Sequence, residues 1–203
     1  MKKLLFTLTL LFSISLFSQE LTVTPDGLRD ASNNDKSYVV INTPDKTAEQ
    51  NYNNVLKYIN KTYNNPKEAI KANISFEYLK FDTFISDFLI TKNGISKDTN
   101  DARFSIEISF RNDKVKFEVV SLSIYNDAGY EVLFSGGAFS GFAIYNKKKT
   151  KLKKPKTKKD IEVYFNNTIN NIKGYLLEDI KSLEDVKSTV DDWWKSYSIR
   201  MFY

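Results

Sequence analysis

The sequence contains no histidine and no cysteine among its 203 residues. Without histidine there is no Ser-His-Asp triad, no Cys-His pair and no imidazole metal ligand. Without cysteine there is no disulfide, no thiolate nucleophile, no cysteine zinc site and no lipid-modified cysteine. These absences remove the most common catalytic and metal-binding motifs, and we predict neither a bound metal nor a cofactor.

The first 18 residues have the pattern of a secretory signal peptide. A pair of lysines precedes an apolar stretch from Leu4 to Phe17, and Ser18 is a small residue at a plausible cleavage point before Gln19. The stretch is too short to span a bilayer comfortably, and no later segment is apolar over eighteen residues. We therefore expect a secreted or periplasmic protein with no transmembrane segment after cleavage. A retained membrane anchor is the alternative.

The positive charge is concentrated in one segment. The chain has 30 Lys and Arg against 25 Asp and Glu, and nine of those lysines lie within residues 147–159. The rest of the chain beyond the leader is acidic, which argues against a broad nucleic-acid-binding surface. We expect no nucleic-acid partner.

The lysine-rich segment has three interpretations. Blocks of like charge are usually solvated, so a solvated loop is the first. An arm that binds a polyanion is the second, and a lipid-binding patch like those of the inner leaflet is the third. The expected export removes nucleic acid and cytoplasmic lipid as ordinary partners and leaves an anionic glycan or lipopolysaccharide of the cell envelope. The candidate binding residues are Lys147, Lys148, Lys149, Lys151, Lys153 and Lys154.

Two amphipathic helices are predicted from apolar spacing. Thr47 and Gln50 form a capping-box pattern ahead of an apolar stripe that continues to Tyr63. A second stripe begins after Pro155 and extends to about residue 182. Its apolar positions are Ile161, Phe165, Ile169, Ile172 and Leu176.

Alternating apolar and polar residues predict the strands. Residues 37–41 and 70–74 are short candidates, and residues 78–90 form a long one whose alternation slips, which indicates a bulge. The clearest pattern is a hairpin whose two-residue turn is Asn112-Asp113. The alternation changes parity at Val120, which predicts a second bulge.

These elements predict an α+β fold. The order is β-α-β-β-β-β-α, a twisted antiparallel sheet with both helices on one face. The other face should remain open, because every second strand residue is polar. The predicted divisions are a flexible arm at 19–36, one domain at 37–182 with a lysine-rich loop at 147–159, and an aromatic tail at 183–203.

Several local sequences resemble a known group of proteins. They are Phe17-Ser18-Gln19-Glu20, Ser37-Tyr38-Val39-Val40-Ile41, Phe134-Ser135-Gly136-Gly137 and Ser140-Gly141-Phe142. Over residues 35–180 the chain resembles secreted Bacteroidetes proteins that carry a domain of unknown function with a TATA-binding-protein-like fold. The resemblance implies the same order of elements, and it implies no activity and no site residues.

The hairpin turn sets Glu107 opposite Glu118 on the open face. Two facing carboxylates can bind a cation or raise one carboxyl pKa for acid–base catalysis. The simpler interpretation is that Lys116 and water screen the pair. In the tail, Trp193 and Trp194 can stack on a sugar or a partner, or can pack on their own domain.

We therefore interpret the chain as an exported, non-enzymatic binding or protein-interaction module that uses the open sheet face. Its partner would be a protein or an anionic glycan of the cell envelope. A small carboxylate-dependent hydrolase and a homodimerising structural component are the alternatives.

Overall fold

The structure, a computed structural model, describes residues 19–93, 95–136 and 142–177. The predicted leader and the aromatic tail with Trp193 and Trp194 lie outside these residues. The elements are β1 (Leu21–Thr24), β2 (Gly27–Asp30), β3 (Tyr38–Asn42), α1 (Ala48–Thr62), α2 (Pro66–Ala69), β4 (Ile70–Ile74), β5 (Tyr78–Asn93), β6 (Ser96–Arg111), β7 (Lys114–Asn126), β8 (Ser135–Gly136), β9 (Tyr145–Asn146) and α3 (Pro155–Leu177).

The main sheet has five strands in the order β3-β7-β6-β5-β4, and every neighbouring pair is antiparallel. Both long helices pack on the same face of it. The Tyr52 ring of α1 lies 5.5 Å from that of Phe110, and the Phe165 ring of α3 lies 5.1 Å from that of Phe104. The predicted α+β fold with both helices on one face is confirmed, and the predicted order of elements is that of the main sheet and the two long helices. The β1–β2 hairpin, α2, β8 and β9 are additional elements.

Strand alternation decides which face the helices cover. The even-numbered residues of β6 from Phe104 to Phe110 are buried, whereas the odd-numbered residues between them are half-exposed. Because successive side chains of a strand point to opposite faces, one side of the sheet is apolar and the other is polar. The two long helices α1 and α3 lie on the apolar side, and the short helix α2 borders the polar side through Glu68. Among the described residues, none of the helices combines the length and the apolar character of a membrane span.

Two bulges interrupt the pairing of the long strands. Ser105 pairs with Ser121 and Ile106 with Val119, so Val120 is an extra residue in β7. A second shift lies between Ile85 and Leu89 of β5. The single extra residue in β7 reverses the facing of the residues beyond it, which returns the apolar residues of β7 to the helix side. The shift in β5 spans four residues against two of β6, so it adds two residues and leaves the facing of β5 unchanged. Both predicted bulges are confirmed.

The start of α1 has the predicted capping box. The Gln50 backbone N–H donates to the Thr47 hydroxyl oxygen at 3.2 Å, and the Thr47 backbone N–H donates to the Gln50 side-chain oxygen at 2.8 Å. Two backbone donors at the helix N-terminus are thereby satisfied. This fixes where the helix begins after the edge strand β3.

Residues 19–36 were expected to form a flexible arm, and this is wrong. They contain the β1–β2 hairpin, in which Leu21 and Val23 are buried and Gly27 has a φ of 114°. The reason is a set of polar contacts with α3. The Asn166 side chain accepts from the Leu21 N–H at 2.8 Å and donates to the Leu21 carbonyl at 3.0 Å.

The same helix face continues to bind β1 one and two turns earlier. The Glu162 carboxylate accepts from the Thr22 hydroxyl at 2.6 Å and from the Val23 N–H at 2.8 Å. Lys158 pairs with Glu162 and donates to the Val23 carbonyl at 2.9 Å. Positions four residues apart share one helix face, so the side chains of Lys158, Glu162 and Asn166 form one row on α3. This row binds the backbone N–H and C=O groups along the outer edge of β1, which a neighbouring strand would bind in a larger sheet.

The lysine-rich segment is also only partly a loop. The helix α3 begins at Pro155, so Lys156, Lys158 and Lys159 are helical and only residues 147–154 form a loop. This loop has its own hydrogen bonds, because the Asn146 side-chain oxygen accepts from the Thr150 and Lys151 N–H groups. The prediction of a loop over 147–159 is therefore too long at its C-terminal end.

We expect Glu162→Ala to lower the free energy of unfolding by about 1–3 kcal/mol, because it leaves the Val23 N–H and the Thr22 hydroxyl without their acceptor and removes the ion pair with Lys158. Asp160→Ala is the matched control, since it removes an i,i+4 pair with Lys156 from the same helix and should cost only about 0.3–0.5 kcal/mol. Urea unfolding at neutral pH measures both. Equal losses in the two variants would show that the contacts with β1 contribute nothing.

Candidate functional site

The open face of the sheet carries polar and aromatic side chains in cross-strand rows. One row consists of Lys80, Glu107, Glu118 and Tyr38, each paired with the next across neighbouring strands. The facing of Glu107 and Glu118, predicted from the hairpin turn, is therefore present. The row crosses the four strands from β5 to β3.

Each of the two carboxylates has its own lysine. The Lys80 Nζ lies 3.2 Å from Glu107 Oε1, and the Lys116 Nζ lies 2.6 Å from Glu118 Oε2. The Ser37 hydroxyl also donates to Glu118 at 2.5 Å. The two negative charges are thus neutralised by cations of this chain, and the pair does not depend on a bound cation.

The pKa values of the side chains in and beside this row do not suit a general acid. Burial acts to raise the pKa of Glu118, but the hydrogen bonds from Lys116 and Ser37 outweigh it and hold that pKa below its usual range. Partial burial and the Glu107 carboxylate raise the pKa of Tyr78 to about 12. A carboxylic acid catalyst needs a raised pKa, so Glu118 does not fit that role.

A depression lies beside this row, around Arg103. The Arg103 guanidinium is 5.4 Å from the centre of the Phe84 ring and 5.8 Å from the centre of the Tyr125 ring. Strand pairing explains the contact, because Phe84 lies directly opposite Arg103 on β5 and Tyr125 is a diagonal neighbour on β7. Two ring faces restrict the arginine, which remains exposed at the sheet surface.

Hydrogen-bonding groups surround the arginine. The Ser105 hydroxyl donates to Asp82 at 2.7 Å, and the Ser123 hydroxyl donates to Glu131 at 2.9 Å. The depression has a volume of about 370 Å³ and is bounded on one side by Glu68 and Lys71. The depression thus combines a restricted arginine, two aromatic rings, hydroxyls and carboxylates. Such a shallow mixture of groups is suited to binding rather than to bond cleavage.

A smaller hollow continues the open face past the edge strand β3. It has a volume of about 220 Å³ and lies between the turn of the β1–β2 hairpin and the bulge of β7. Arg29 and Phe134 contribute to its lining. The hairpin therefore extends the accessible surface on this side of the sheet.

The predicted lysines lie elsewhere, and none lines the depression. Lys149 pairs with Asp26 of the β1–β2 turn, and Lys154 donates to the backbone carbonyl of Lys92. The remaining candidates, Lys147, Lys148, Lys151 and Lys153, are exposed. The structure therefore separates the lysine segment from the row that contains Glu107 and Glu118.

The Arg103 cluster was not predicted from the sequence. The alternation of β6 places Arg103 on the open face, and that much could be read from the residues. Its aromatic neighbours could not, because the pairing of β5 with β6 changes register between Ile85 and Leu89. A register counted from the hairpin turn without that shift places Ser86, and not Phe84, opposite Arg103.

Comparison with known proteins gives two distant structural similarities. One is to a DUF4468 family protein from Bacteroides ovatus, with a TM-score of 0.48 and 15% identity, covering 71% of this chain and 88% of that one. The other is to a TBP-like protein from Parabacteroides distasonis, with a TM-score of 0.47 and 10% identity, covering 68% of this chain and 90% of that one. No protein-family model and no curated protein matches the sequence. The fold described above rests on the topology of this chain.

We expect Glu118→Gln to destabilise the protein by about 1 kcal/mol at pH 7, because the amide keeps the shape but loses the charge that Lys116 and Ser37 stabilise. The folded-state pKa of Glu118 is lowered, so its contribution is complete above the unfolded-state pKa and disappears as pH falls through the folded value. Urea unfolding from pH 7 to pH 3 measures this.

The two proteins should therefore converge in stability at low pH. Glu77→Gln, at an exposed turn position, is the matched control and should leave the free energy of unfolding within about 0.5 kcal/mol of the parent at every pH. A Glu118→Gln deficit that persists unchanged at pH 3 would contradict the assignment.

Proposed function

We propose that the protein is an exported, non-enzymatic interaction module that binds a protein partner on the open sheet face. The observation that supports this most is the depression in which Arg103 is held between Phe84 and Tyr125. Arginine and aromatic residues are the types most enriched at the energetic centres of protein interfaces. The pattern of residues 1–18 supports the exported location.

The stacking of Arg103 lowers the cost of binding. A free arginine side chain loses considerable rotamer entropy when a partner immobilises it. Here two rings already restrict the side chain, while the guanidinium remains exposed. A partner carboxylate or carbonyl can therefore pair with a cation that is already positioned.

The composition of the face favours a different protein over a second copy of this chain. The accessible rows combine charges of both signs with serines and single aromatic rings, and the face holds no broad apolar patch among its described residues. Obligate homodimer interfaces are more apolar than this. The hydrolase alternative is disfavoured by the lowered pKa of Glu118.

The two other predicted binding regions remain proposals. Trp193 and Trp194 are candidates for a second contact with a partner, on the grounds of residue type alone. The lysines at 147–154 supply the positive charge that an anionic glycan of the envelope would require.

Site-specific photocrosslinking tests the open face. We expect a benzoylphenylalanine at position 71, on the rim of the depression, to crosslink a partner in cells of the source organism. The same group at position 57, which is exposed on α1, should not. Adding Arg103→Ala should reduce the product about tenfold or more, if Arg103 is an interface hot spot.

Three outcomes decide the result. Equal crosslinking from positions 71 and 57, or no effect of Arg103→Ala in a variant with unchanged thermal stability, would reject the open face as the binding surface. A crosslinked species of twice the chain mass would replace the proposal with homodimerisation.

A further inference from the structure

The β5–β6 hairpin carries an isoleucine at its turn that extends fully into solvent. Ile95 has a relative exposure of 103%, higher than that of every other exposed large hydrophobic residue among those described. Single exposed apolar side chains are common on protein surfaces. Ile95 is distinguished by its place at the end of a projecting hairpin and by the charges around it.

Lysines flank this isoleucine on both strands. Lys92 and Lys97 are direct cross-strand partners, and both are exposed. Like charges in that position repel and destabilise a hairpin. Within residues 19–93, 95–136 and 142–177, neither lysine forms an ion pair. No carboxylate of the described residues therefore neutralises the charge of this pair.

The lysine-rich loop meets the same hairpin. The Lys154 Nζ donates to the Lys92 carbonyl at 2.5 Å, which places the end of the loop beside the hairpin turn. Lys151 and Lys153 are exposed and form no ion pair with a described residue, and Leu152 between them is 37% exposed. The hydrogen bond of Lys154 thus brings the loop that carries Lys151, Leu152 and Lys153 next to the strand that carries Lys92.

We name this surface the basic tip and define it as Lys92, Ile95, Lys97, Lys151, Leu152 and Lys153. Hydrogen bonds of a buried asparagine connect the two strands of the hairpin below the basic tip. Asn100 is fully buried and donates to the carbonyl of Asp98 at 2.8 Å and to the hydroxyl oxygen of Thr91 at 3.0 Å. Asp98 is the acidic residue of this part of the hairpin, so the lysines of the basic tip remain in excess.

We propose that the basic tip docks onto a bilayer that contains anionic phospholipids. Ile95 enters the boundary between headgroups and acyl chains, and the lysines face the lipid phosphates. An exposed apolar side chain at a hairpin turn with a pair of lysines behind it suits an anionic lipid surface, because lysine stems bury their methylenes while their ammonium groups stay at the headgroups. The surface is separate from the Arg103 depression, and the proposal does not depend on the function proposed for the open face.

Vesicle co-sedimentation of the purified protein tests this. We expect binding to vesicles of equal parts phosphatidylglycerol and phosphatidylcholine, and much less binding to phosphatidylcholine alone. The double variant Lys92→Gln, Lys97→Gln should bind the phosphatidylglycerol-containing vesicles roughly thirtyfold more weakly than the parent, on the scale expected for two lysines at such a surface. Ile95→Ser should weaken binding to the same vesicles about tenfold. High salt should reproduce the effect of the lysine changes.

Matched variants guard against general effects of charge and hydrophobicity. Lys61→Gln with Lys67→Gln removes two exposed lysines from α1 and α2, and Ile74→Ser removes a 55% exposed isoleucine from β4. Both controls should bind within about twofold of the parent, as expected for residues outside the docking surface. All variants share residues 1–18, so the leader cannot produce a difference between them.

Equal binding to both kinds of vesicle, or no binding to either, would overturn the proposal. Equal losses in the tip variants and their controls would also overturn it. A failure of these tests leaves photocrosslinking from position 71 unaffected, so the two proposals can fail separately.

Discussion

The main sheet has two faces, and within the described residues the apolar sides of the long helices cover only one of them. The buried apolar residues of β5, β6 and β7 lie on the face that α1 and α3 cover, and the extra residue Val120 keeps those of β7 on that face. Burial of these side chains is the main favourable contribution to folding. The polar rows on the other side follow directly, since a residue that faces away from the helices must tolerate water.

The features that could be predicted are those that depend on neighbouring residues. The capping box of Thr47 and Gln50, the Asn112-Asp113 turn and the parity change at Val120 each lie within a few positions of the sequence. The order of the elements, with both helices on one face, followed from the same local patterns. The facing of Glu107 and Glu118 followed from the length of the hairpin turn.

The features that could not be predicted depend on residues far apart in the chain. The strand β1 has only four residues, and its hydrogen-bond partners Glu162 and Asn166 lie about 140 positions away. Nothing in the alternation of four residues identifies a helix as their partner. The Arg103 cluster has the same origin, because it requires the correct register of two sixteen-residue strands across a bulge.

One turn shows how tertiary contacts override local preference. The connection between β4 and β5 is Ser75-Phe76-Glu77, and Phe76 has a φ of 66°, a region that favours glycine. The Phe76 ring lies 5.4 Å from that of Tyr52 in an edge-to-face contact. An aromatic contact of this kind contributes about 0.5–1.5 kcal/mol, enough to offset much of the conformational cost of roughly 1–2 kcal/mol.

The polar stripe on α3 has a further consequence for the solubility of the folded chain. A two-stranded ribbon normally exposes a row of unsatisfied amides and carbonyls that can recruit strands from other molecules. On β1 that row is occupied by Lys158, Glu162 and Asn166. A helix side is a poor template for sheet growth, because its side chains present no continuous ladder to a newcomer. The outer edge of β1 is thereby closed to the intermolecular β-pairing that begins fibrillar aggregation.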